Sequence, residues 1–274
     1  QNGEQAVGVF TRTIDEVHRL YQGEKFGVAL LGEDALSNET LSSFGNGSVT
    51  VKFLDGTQLT VGPNSEVILD EFVYDTGTSK GKMSLNILSG FVKFVSGDMS
   101  SDSYSITTPA GMAAIRGTEL VFLVEPDGDV SLGIFSGGVS FLAKGRTFVA
   151  EDRNSSENFL AFKVDAEGVV NAEIGAMGES YSKAEYVFED PHLYSTFVAA
   201  YKTEQYTETI MRLCGEGEAC EEAVVELVDE LAELGVDQYD VAKSLEAIKT
   251  ALLSSDMEPI LIEQTVGILE EVEA

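Results

Sequence analysis

The stretch "SVTVKFLDGTQLTVG", Ser48 to Gly62, decides the fold class. Apolar and polar residues alternate from Val49 to Phe53, and the alternation resumes at Leu59 after the dipeptide Asp55-Gly56. A period of two is typical of a strand with one buried face, and Asp-Gly between two such runs is a strong hairpin signal. The stretch therefore predicts a β-hairpin.

The same pattern of strands and turns extends from about residue 7 to residue 190. Short runs of Val, Ile, Phe, Thr and Leu are separated by turns of Gly, Asp, Asn and Ser. This cadence indicates a sandwich, a barrel or a solenoid-like β domain rather than βαβ units. We predict a β domain over residues 1–190.

The spacing of apolar residues becomes helical after about residue 190. Val224, Leu227, Val228 and Leu231 fall on one helical face, and Asp237 is placed to cap a later helix. We predict a small α-helical region over residues 191–274. Its many acidic residues form either a solvated outer face or a surface for a basic partner.

The charge balance excludes two classes of partner. The 274 residues include 47 acidic and 17 basic residues, so the formal net charge is −30. Nucleic acids and anionic lipids both bind through Lys and Arg, so neither is expected as a partner. The sequence has no apolar run long enough for a membrane helix, so we expect no membrane insertion.

The first residue bears on localisation. The chain begins at Gln1 and shows no secretory signal. We expect that either a signal peptide or a tag was removed before Gln1; of the two we expect a signal peptide, and hence a periplasmic or extracellular protein.

Cys214 and Cys220 lie six positions apart in "CGEGEAC". Export favours a disulfide between them, while two free thiols or half of a metal site remain alternatives. A zinc site is disfavoured because the chain has only two histidines and no further cysteine.

Motifs for catalysis are not found in the sequence. Neither His18 nor His192 lies in an HExxH pattern or beside a Ser or Cys elbow, and GxSxG does not occur. The glycine-rich "FGNGS" lacks the spacing of a phosphate-binding loop. We therefore predict a non-enzymatic protein without catalytic, cofactor-binding or metal-binding residues.

The stretch "TPAGMAAIRGTEL", Thr108 to Leu120, places Arg116 among small and apolar residues. A guanidinium at this position has three alternative roles: a catalytic group, an anion-binding group, or a buried group that fixes a corner of the fold. Its five donors can tie backbone carbonyls together or pair with an acid such as Asp55 or Asp98. We predict a buried or half-buried structural arginine, and we expect Arg116→Met to lower the melting temperature.

Two motifs in this order resemble the FecR domain. The first is a strand, a Phe-x-Asp-Gly-Thr turn, a second strand and a Pro-Asn-Ser turn; the second is Thr-Pro, small apolar residues, Arg-Gly-Thr and a hydrophobic strand. The resemblance covers about residues 15–150. The matching residues are Phe53, Asp55, Gly56, Thr57, Pro63, Asn64, Thr108, Pro109, Arg116, Gly117 and Thr118.

The resemblance implies a twisted, solenoid-like or roll-like arrangement of short strands, and no catalytic residues to carry over. The family's namesakes are inner-membrane regulators of iron-siderophore uptake. Because this sequence has no membrane helix and ends in acidic helices, it looks more like the stand-alone exported FecR-domain proteins of Gram-negative bacteria.

The function expected from this resemblance is that of a binding or scaffolding module in the periplasm or on the cell surface. One alternative is a self-assembling subunit of an extracellular fibre or surface layer. Another is an envelope or metal-sensing signalling component. The expected partner is a protein or a second copy of the chain, and a cell-envelope glycan is a further candidate.

Overall fold

The computed structural model describes residues 5–152, 156–166, 168, 170–216 and 220–273. Gln1, where we predicted a cleavage, lies outside these residues. The described strands are β1 Ala6–Ile14, β2 Val17–Tyr21, β3 Glu24–Val28, β4 Asp34–Leu36, β5 Glu39–Ser43, β6 Ser48–Phe53, β7 Gln58–Val61, β8 Glu66–Asp75, β9 Lys80–Val95, β10 Tyr104–Thr108, β11 Gly111–Val124, β12 Val130–Ala143, β13 Arg146–Glu151, β14 Phe159–Val164 and β15 Val170–Gly175. The described α-helices are α1 Ala184–Glu189, α2 Tyr194–Glu216, α3 Cys220–Glu233, α4 Gln238–Leu253 and α5 Pro259–Glu273.

The hairpin predicted from "SVTVKFLDGTQLTVG" is confirmed. Strands β6 and β7 pair antiparallel, with Val49 opposite Val61 and Val51 opposite Leu59. All four side chains are fully buried. The polar residues between them lie on the other face of the sheet, because successive side chains point to opposite faces.

Three long strands, β9, β11 and β12, each pair with different partners along their length. Strand β9 pairs through Lys80–Ser89 with β8 and through Gly90–Val95 with β11. Strand β12 likewise pairs with β14 near its start and with β13 near its end. The long strands therefore connect two halves of one sheet, and residues of both halves join a single hydrophobic core.

A segment after the last strand covers part of the sheet's outer face. Phe188 of α1 stacks on Phe91 with ring centroids 4.4 Å apart. The Tyr181 hydroxyl lies 3.0 Å from the carbonyl oxygen of Val121 and 3.1 Å from that of Ser131. This covering explains why Phe91 and Val121 are fully buried although the core lies on the opposite face.

Helices α2 to α5 build a second unit with its own apolar interior. The chain divides into two compact units, Gln1–Pro191 and His192–Ala274. Ile210 and Leu227 are fully buried in the helical unit. The predicted cap is confirmed, because the Asp237 carboxylate accepts a hydrogen bond from the Asp240 backbone N–H at 2.9 Å.

The predicted fold class is confirmed at its coarser level. The protein is mainly β and ends in helices. A solenoid-like or roll-like shape remains a prediction.

Candidate functional site

The first signature motif forms a buried hydrogen-bonded cluster. Asp55 is 1% exposed and accepts from the Thr57 backbone N–H at 3.0 Å and from the Thr57 hydroxyl at 2.7 Å. The Tyr104 hydroxyl donates at 2.7 Å to Asp55 Oδ2, the same oxygen that accepts from the Thr57 hydroxyl. The backbone N–H of Gly97 donates to Thr57 Oγ1 at 3.0 Å. The cluster thus ties the hairpin turn to β10 and to the loop after β9.

Burial, followed by the hydrogen bond to Asp55, raises the pKa of Tyr104 to about 12. The phenol is therefore held in its neutral, donating form. The other residues of the motif hold the turn, since Phe53 is buried and Gly56 has a φ of 85°.

The Pro63-Asn64 turn is hydrogen-bonded to the loop after β5 and to β9. The Asn64 side chain accepts from the Gly45 backbone N–H at 2.9 Å. The next residue, Ser65, is buried and its hydroxyl accepts from the Phe91 backbone N–H at 2.7 Å. This part of the motif is consequently structural as well.

The second signature motif is built around Thr118. Its hydroxyl donates toward the carbonyl oxygens of Arg116 at 2.7 Å and Gly138 at 2.8 Å, and its backbone N–H donates to Ser96 Oγ at 2.8 Å. Gly117 adopts a φ of 53° in the bulge that interrupts β11. Thr108, which precedes Pro109, donates to the Gly111 carbonyl at 3.0 Å.

The prediction of a buried Arg116 is wrong. Arg116 is exposed, and its guanidinium makes no hydrogen bond or ion pair with Asp55, Asp98 or any other described residue. The physical reason is alternation along β11. Ala113 and Ile115 face the core, so the next residue faces solvent, and Thr118 makes the ties that we assigned to the arginine.

Among the described residues, the buried arginine is Arg19, which was not predicted from the sequence. It is 6% exposed, and its Nε lies 2.7 Å from Oε2 of the fully buried Glu39. Its guanidinium also covers the Phe10 ring, 4.9 Å from the centroid. The available signal was alternation in "VHRLY", which places Arg19 on the same strand face as Val17.

Cys214 and Cys220 are joined by a disulfide in the structure, with their Cα atoms 4.8 Å apart. The bond links the end of α2 to the start of α3 within the helical unit. The described residues contain no group of three or more His, Cys, Asp or Glu side chains able to hold a metal ion. None of the described helices is both long and apolar enough to cross a membrane.

The structure also forms a cleft of about 840 Å³ in the first unit. Its floor is the outer face of β1, β6, β7 and β9, and one wall is the segment that carries α1. The floor residues of β6 and β7 are those that alternate with the apolar core residues of the hairpin. The lining residues are Thr11, Arg12, Thr50, Gln58, Thr60, Lys93, Val95, Asn158, Met177, Ser182, Glu185, Tyr186, Phe188 and Glu189.

Hydroxyl groups dominate the cleft floor. Thr50 and Thr60 lie directly opposite each other on β6 and β7, and their hydroxyl oxygens are 3.0 Å apart. Thr11 on β1 extends the group, since its hydroxyl donates to the Thr50 carbonyl at 3.4 Å. The floor therefore presents three hydroxyls that both donate and accept hydrogen bonds, of which those of Thr50 and Thr60 belong to residues that are 9% exposed.

The two cations of the cleft are engaged, whereas the exposed Glu189 carboxylate forms no ion pair with a described residue. Lys93 Nζ lies 2.6 Å from Glu119 and 3.3 Å from Glu185. Burial opposes the charged ammonium, but the two carboxylates outweigh burial and raise the pKa of Lys93. Arg12 donates to the carbonyl oxygens of Phe188 and Glu189, which fixes the end of α1 to the sheet.

The cleft was not predicted as a site, although its floor shows a signal. Thr50, Gln58 and Thr60 occupy the outward positions of the predicted hairpin, where charged residues are common on a solvated face. The wall residues, from Asn158 to Glu189, lie far away in sequence, and no local pattern places them against the hairpin.

Comparison with known proteins agrees with the signature motifs. Residues 39–140 match the family model described as FecR protein. Among curated proteins, none matches the chain.

Two crystal structures of a candidate anti-sigma factor from Parabacteroides distasonis ATCC 8503, at 1.65 and 2.50 Å resolution, are similar to part of the chain. The first is 11% identical with a TM-score of 0.38 and covers 50% of this chain and 60% of its own. The second is 10% identical with a TM-score of 0.41 and covers 55% of this chain and 64% of its own. This chain thus spans less than two thirds of either solved chain.

Proposed function

Because residues 39–140 form a FecR domain, we propose that this chain is a non-enzymatic binding module of the bacterial cell envelope. The observation that carries the proposal is the cleft of about 840 Å³ on the sheet's outer face. Its floor residues stand on paired strands, and its wall is held by Arg12 and by the stacked Phe91 and Phe188. A site on rigid elements is pre-organised for a ligand.

Photo-cross-linking from the cleft tests this proposal. A benzoylphenylalanine at Gln58, on the cleft floor, is compared with one at Tyr239, which is exposed on α4 and does not line the cleft. In cells that make the protein, we expect adducts from position 58 and not from position 239. Equal adducts from both positions, or none from position 58, would contradict binding at the cleft. Release of a chemically altered ligand would contradict the non-enzymatic part.

We place the protein in the periplasm or outside the cell. The disulfide between Cys214 and Cys220 supports this location, because disulfides persist in oxidising compartments. Thiol labelling with a polyethylene-glycol maleimide, after acid quenching of whole cells, is expected to give a mass shift only after reduction. Labelling without reductant would argue for a reducing compartment.

Self-assembly is a second candidate function, and a charge-poor sheet face favours it. Two rows of paired residues cross β9 to β13 without a charged side chain, in a chain of net charge −30. Like-charged copies approach each other most easily on such a face. The two rows are Ser84, Ser105, Ala114, Ser140 and Val149, and Asn86, Thr107, Met112, Leu142 and Thr147.

Light scattering after size exclusion tests self-assembly in physiological salt. We expect a mass above the 29.4 kDa of one chain that rises with concentration, and we expect Met112→Glu to return the single-chain mass. A single-chain mass at every concentration would remove this candidate.

The FecR domain favours envelope or metal-sensing signalling as a third candidate. Deletion of the protein is then expected to change the transcription of envelope or metal-uptake genes. An unchanged transcript profile, both with and without iron limitation, would remove it.

A further inference from the structure

The cleft has the dimensions of a ligand site. Its volume of about 840 Å³ lies toward the upper end of the roughly 300–1,000 Å³ that ligand pockets occupy. It is open along the sheet face, so a ligand that enters it can extend beyond it.

The hydrogen-bonding groups of the floor suit a ligand rich in hydroxyls. Thr50 and Thr60 together have two donors and four acceptor lone pairs, and their mutual hydrogen bond uses one of each. Gln58 adds an amide that donates and accepts, next to these hydroxyls on β7. A sugar hydroxyl also donates and accepts, so it can match either role.

The charges of the cleft favour a neutral ligand over an acidic one. Lys93 is already engaged by Glu119 and Glu185, and Arg12 is engaged by backbone carbonyls. An acidic ligand has to displace one of these partners at a cost and also meets the exposed Glu189 carboxylate, whereas a neutral ligand leaves the pairs intact.

An aromatic ring stands at the rim. Tyr186 is 61% exposed, although its helix neighbours Ala184, Val187 and Phe188 are buried. Tyr186 lines the cleft, and its exposure leaves the side chain accessible to a ligand. An exposed tyrosine offers an apolar face on which the C–H face of a sugar ring can stack, together with a polar hydroxyl.

From these observations we propose that the cleft binds a neutral oligosaccharide, with the floor hydroxyls contacting the sugar hydroxyls and Tyr186 stacking on one ring. This inference rests on the proposed binding function and adds the chemical class of the ligand.

Isothermal titration of the full chain tests the proposal with four probes. Three are the neutral hexamers maltohexaose, cellohexaose and chitohexaose, and the fourth is the acidic hexagalacturonate. We expect at least one neutral hexamer to bind, more tightly than its own disaccharide, and hexagalacturonate to bind at least ten-fold more weakly. If no neutral hexamer binds at 10 mM, the proposal is overturned, because this concentration is about a hundred times a weak Kd of ~0.1 mM, which corresponds to a binding free energy of about 5.5 kcal/mol. Preference for the acidic probe would overturn the proposal as well.

Variants separate the two parts of the site. Tyr186→Ala and the double variant Thr50→Val/Thr60→Val are each expected to weaken binding at least ten-fold, whereas Tyr186→Phe retains it. The matched control is Tyr239→Ala, because Tyr239 is a 70% exposed tyrosine in the helical unit. Thermal melts establish that each variant is folded. Equal weakening by Tyr239→Ala, or none by the cleft variants, places the saccharide elsewhere and contradicts the proposal.

The cross-linking experiment distinguishes the two possible failures. Adducts at Gln58 without saccharide binding leave the binding function standing and reject the saccharide. The absence of both rejects the binding function together with this inference.

Discussion

At the scale of single residues, the buried polar side chains of the FecR motifs anchor the fold. Asp55, Thr57 and Tyr104 share one hydrogen-bonded cluster, and Thr118 joins β11 to β12 and to the loop after β9. Buried polar groups are retained only when they are satisfied, since an unsatisfied one costs about 1–3 kcal/mol. These side chains therefore specify which turns meet.

Tyr104→Phe tests the Asp55 cluster. The change removes one donor to a buried carboxylate, so we expect the free energy of unfolding to fall by about 2 kcal/mol. Urea denaturation at pH 8 measures the difference. The matched control is Tyr74→Phe, whose ring packs at the edge of the same core. A loss below about 0.5 kcal/mol for Tyr104→Phe would show that the cluster does not stabilise the fold.

The same variant changes the dependence of stability on pH. The pKa of Tyr104 is raised from 10.0 to about 12 in the folded protein, so the folded state retains the phenol proton that the unfolded state loses. This contribution is complete below pH 10 and is lost as the pH rises to about 12. We expect the stability gap between the native chain and Tyr104→Phe to narrow between pH 9 and pH 11.5 in urea titrations. A constant gap over this range would contradict the raised pKa.

Arg19 and Arg116 form a matched pair of arginines on strands. Arg19→Met leaves the fully buried Glu39 without its ion pair, so we expect a loss of about 3–5 kcal/mol. Arg116→Met removes an exposed side chain, and we expect a change within about 0.5 kcal/mol. Thermal and urea unfolding of both variants measures this contrast. The reverse order of losses would restore the structural role first assigned to Arg116.

At the scale of elements, the protein depends on strands that change partners. Strand β9 turns from β8 toward β11 at Gly90, which has a φ of 101°. A Cβ at this position would lie 2.3 Å from the Cα and the hydroxyl of Ser65. The turn after β7 thus packs directly on the backbone of β9, and this close approach sets where the two halves of the sheet join.

Gly90→Ala is expected to prevent stable folding, because backbone atoms of Ser65 cannot move away cheaply. Gly117→Ala is the matched control. It also has a positive φ, but an added Cβ would meet no atom within 4 Å. We expect it to cost only about 1–2 kcal/mol, the penalty of the left-handed conformation. Soluble yield and circular dichroism compare the two variants. Similar behaviour of both would mean that φ alone, and not the contact with Ser65, limits these positions.

At the scale of the whole molecule, the net charge of −30 opposes the compact state. Repulsion among exposed carboxylates is screened over about 10 Å at 0.1 M salt and over about 30 Å at 0.01 M. The protein is therefore suited to salty surroundings, where its own charge costs less free energy.

We expect the melting temperature to rise by several degrees between 0.01 and 0.5 M NaCl, because screening relieves repulsion in the folded state. Differential scanning calorimetry at pH 7 measures the shift. Tetramethylammonium chloride at equal ionic strength serves as the control and is expected to give a similar rise. A flat or falling melting temperature with both salts would mean that repulsion does not limit stability.

Much of the architecture was predictable from local patterns. The hairpin at β6 and β7, the helical region and the Asp237 cap each depend on residues close in sequence. Order and spacing of the two FecR motifs also pointed to a fold class, which the match over residues 39–140 supports. Local patterns did not predict the cleft, because its floor and its wall come from distant parts of the first unit.

Sequence alone thus determined the alternation typical of strands, the helical spacing of apolar residues, the match of residues 39–140 to the FecR family model and the acidic character of this protein. Each of these is a property of neighbouring residues or of composition. Tertiary structure alone decided which arginine is buried, which face of the hairpin is open, and where Lys93 finds its carboxylates. The physical reason is that burial and charge pairing depend on contacts between distant residues. Such contacts exist only after β9, β11 and β12 have joined the two halves of the sheet.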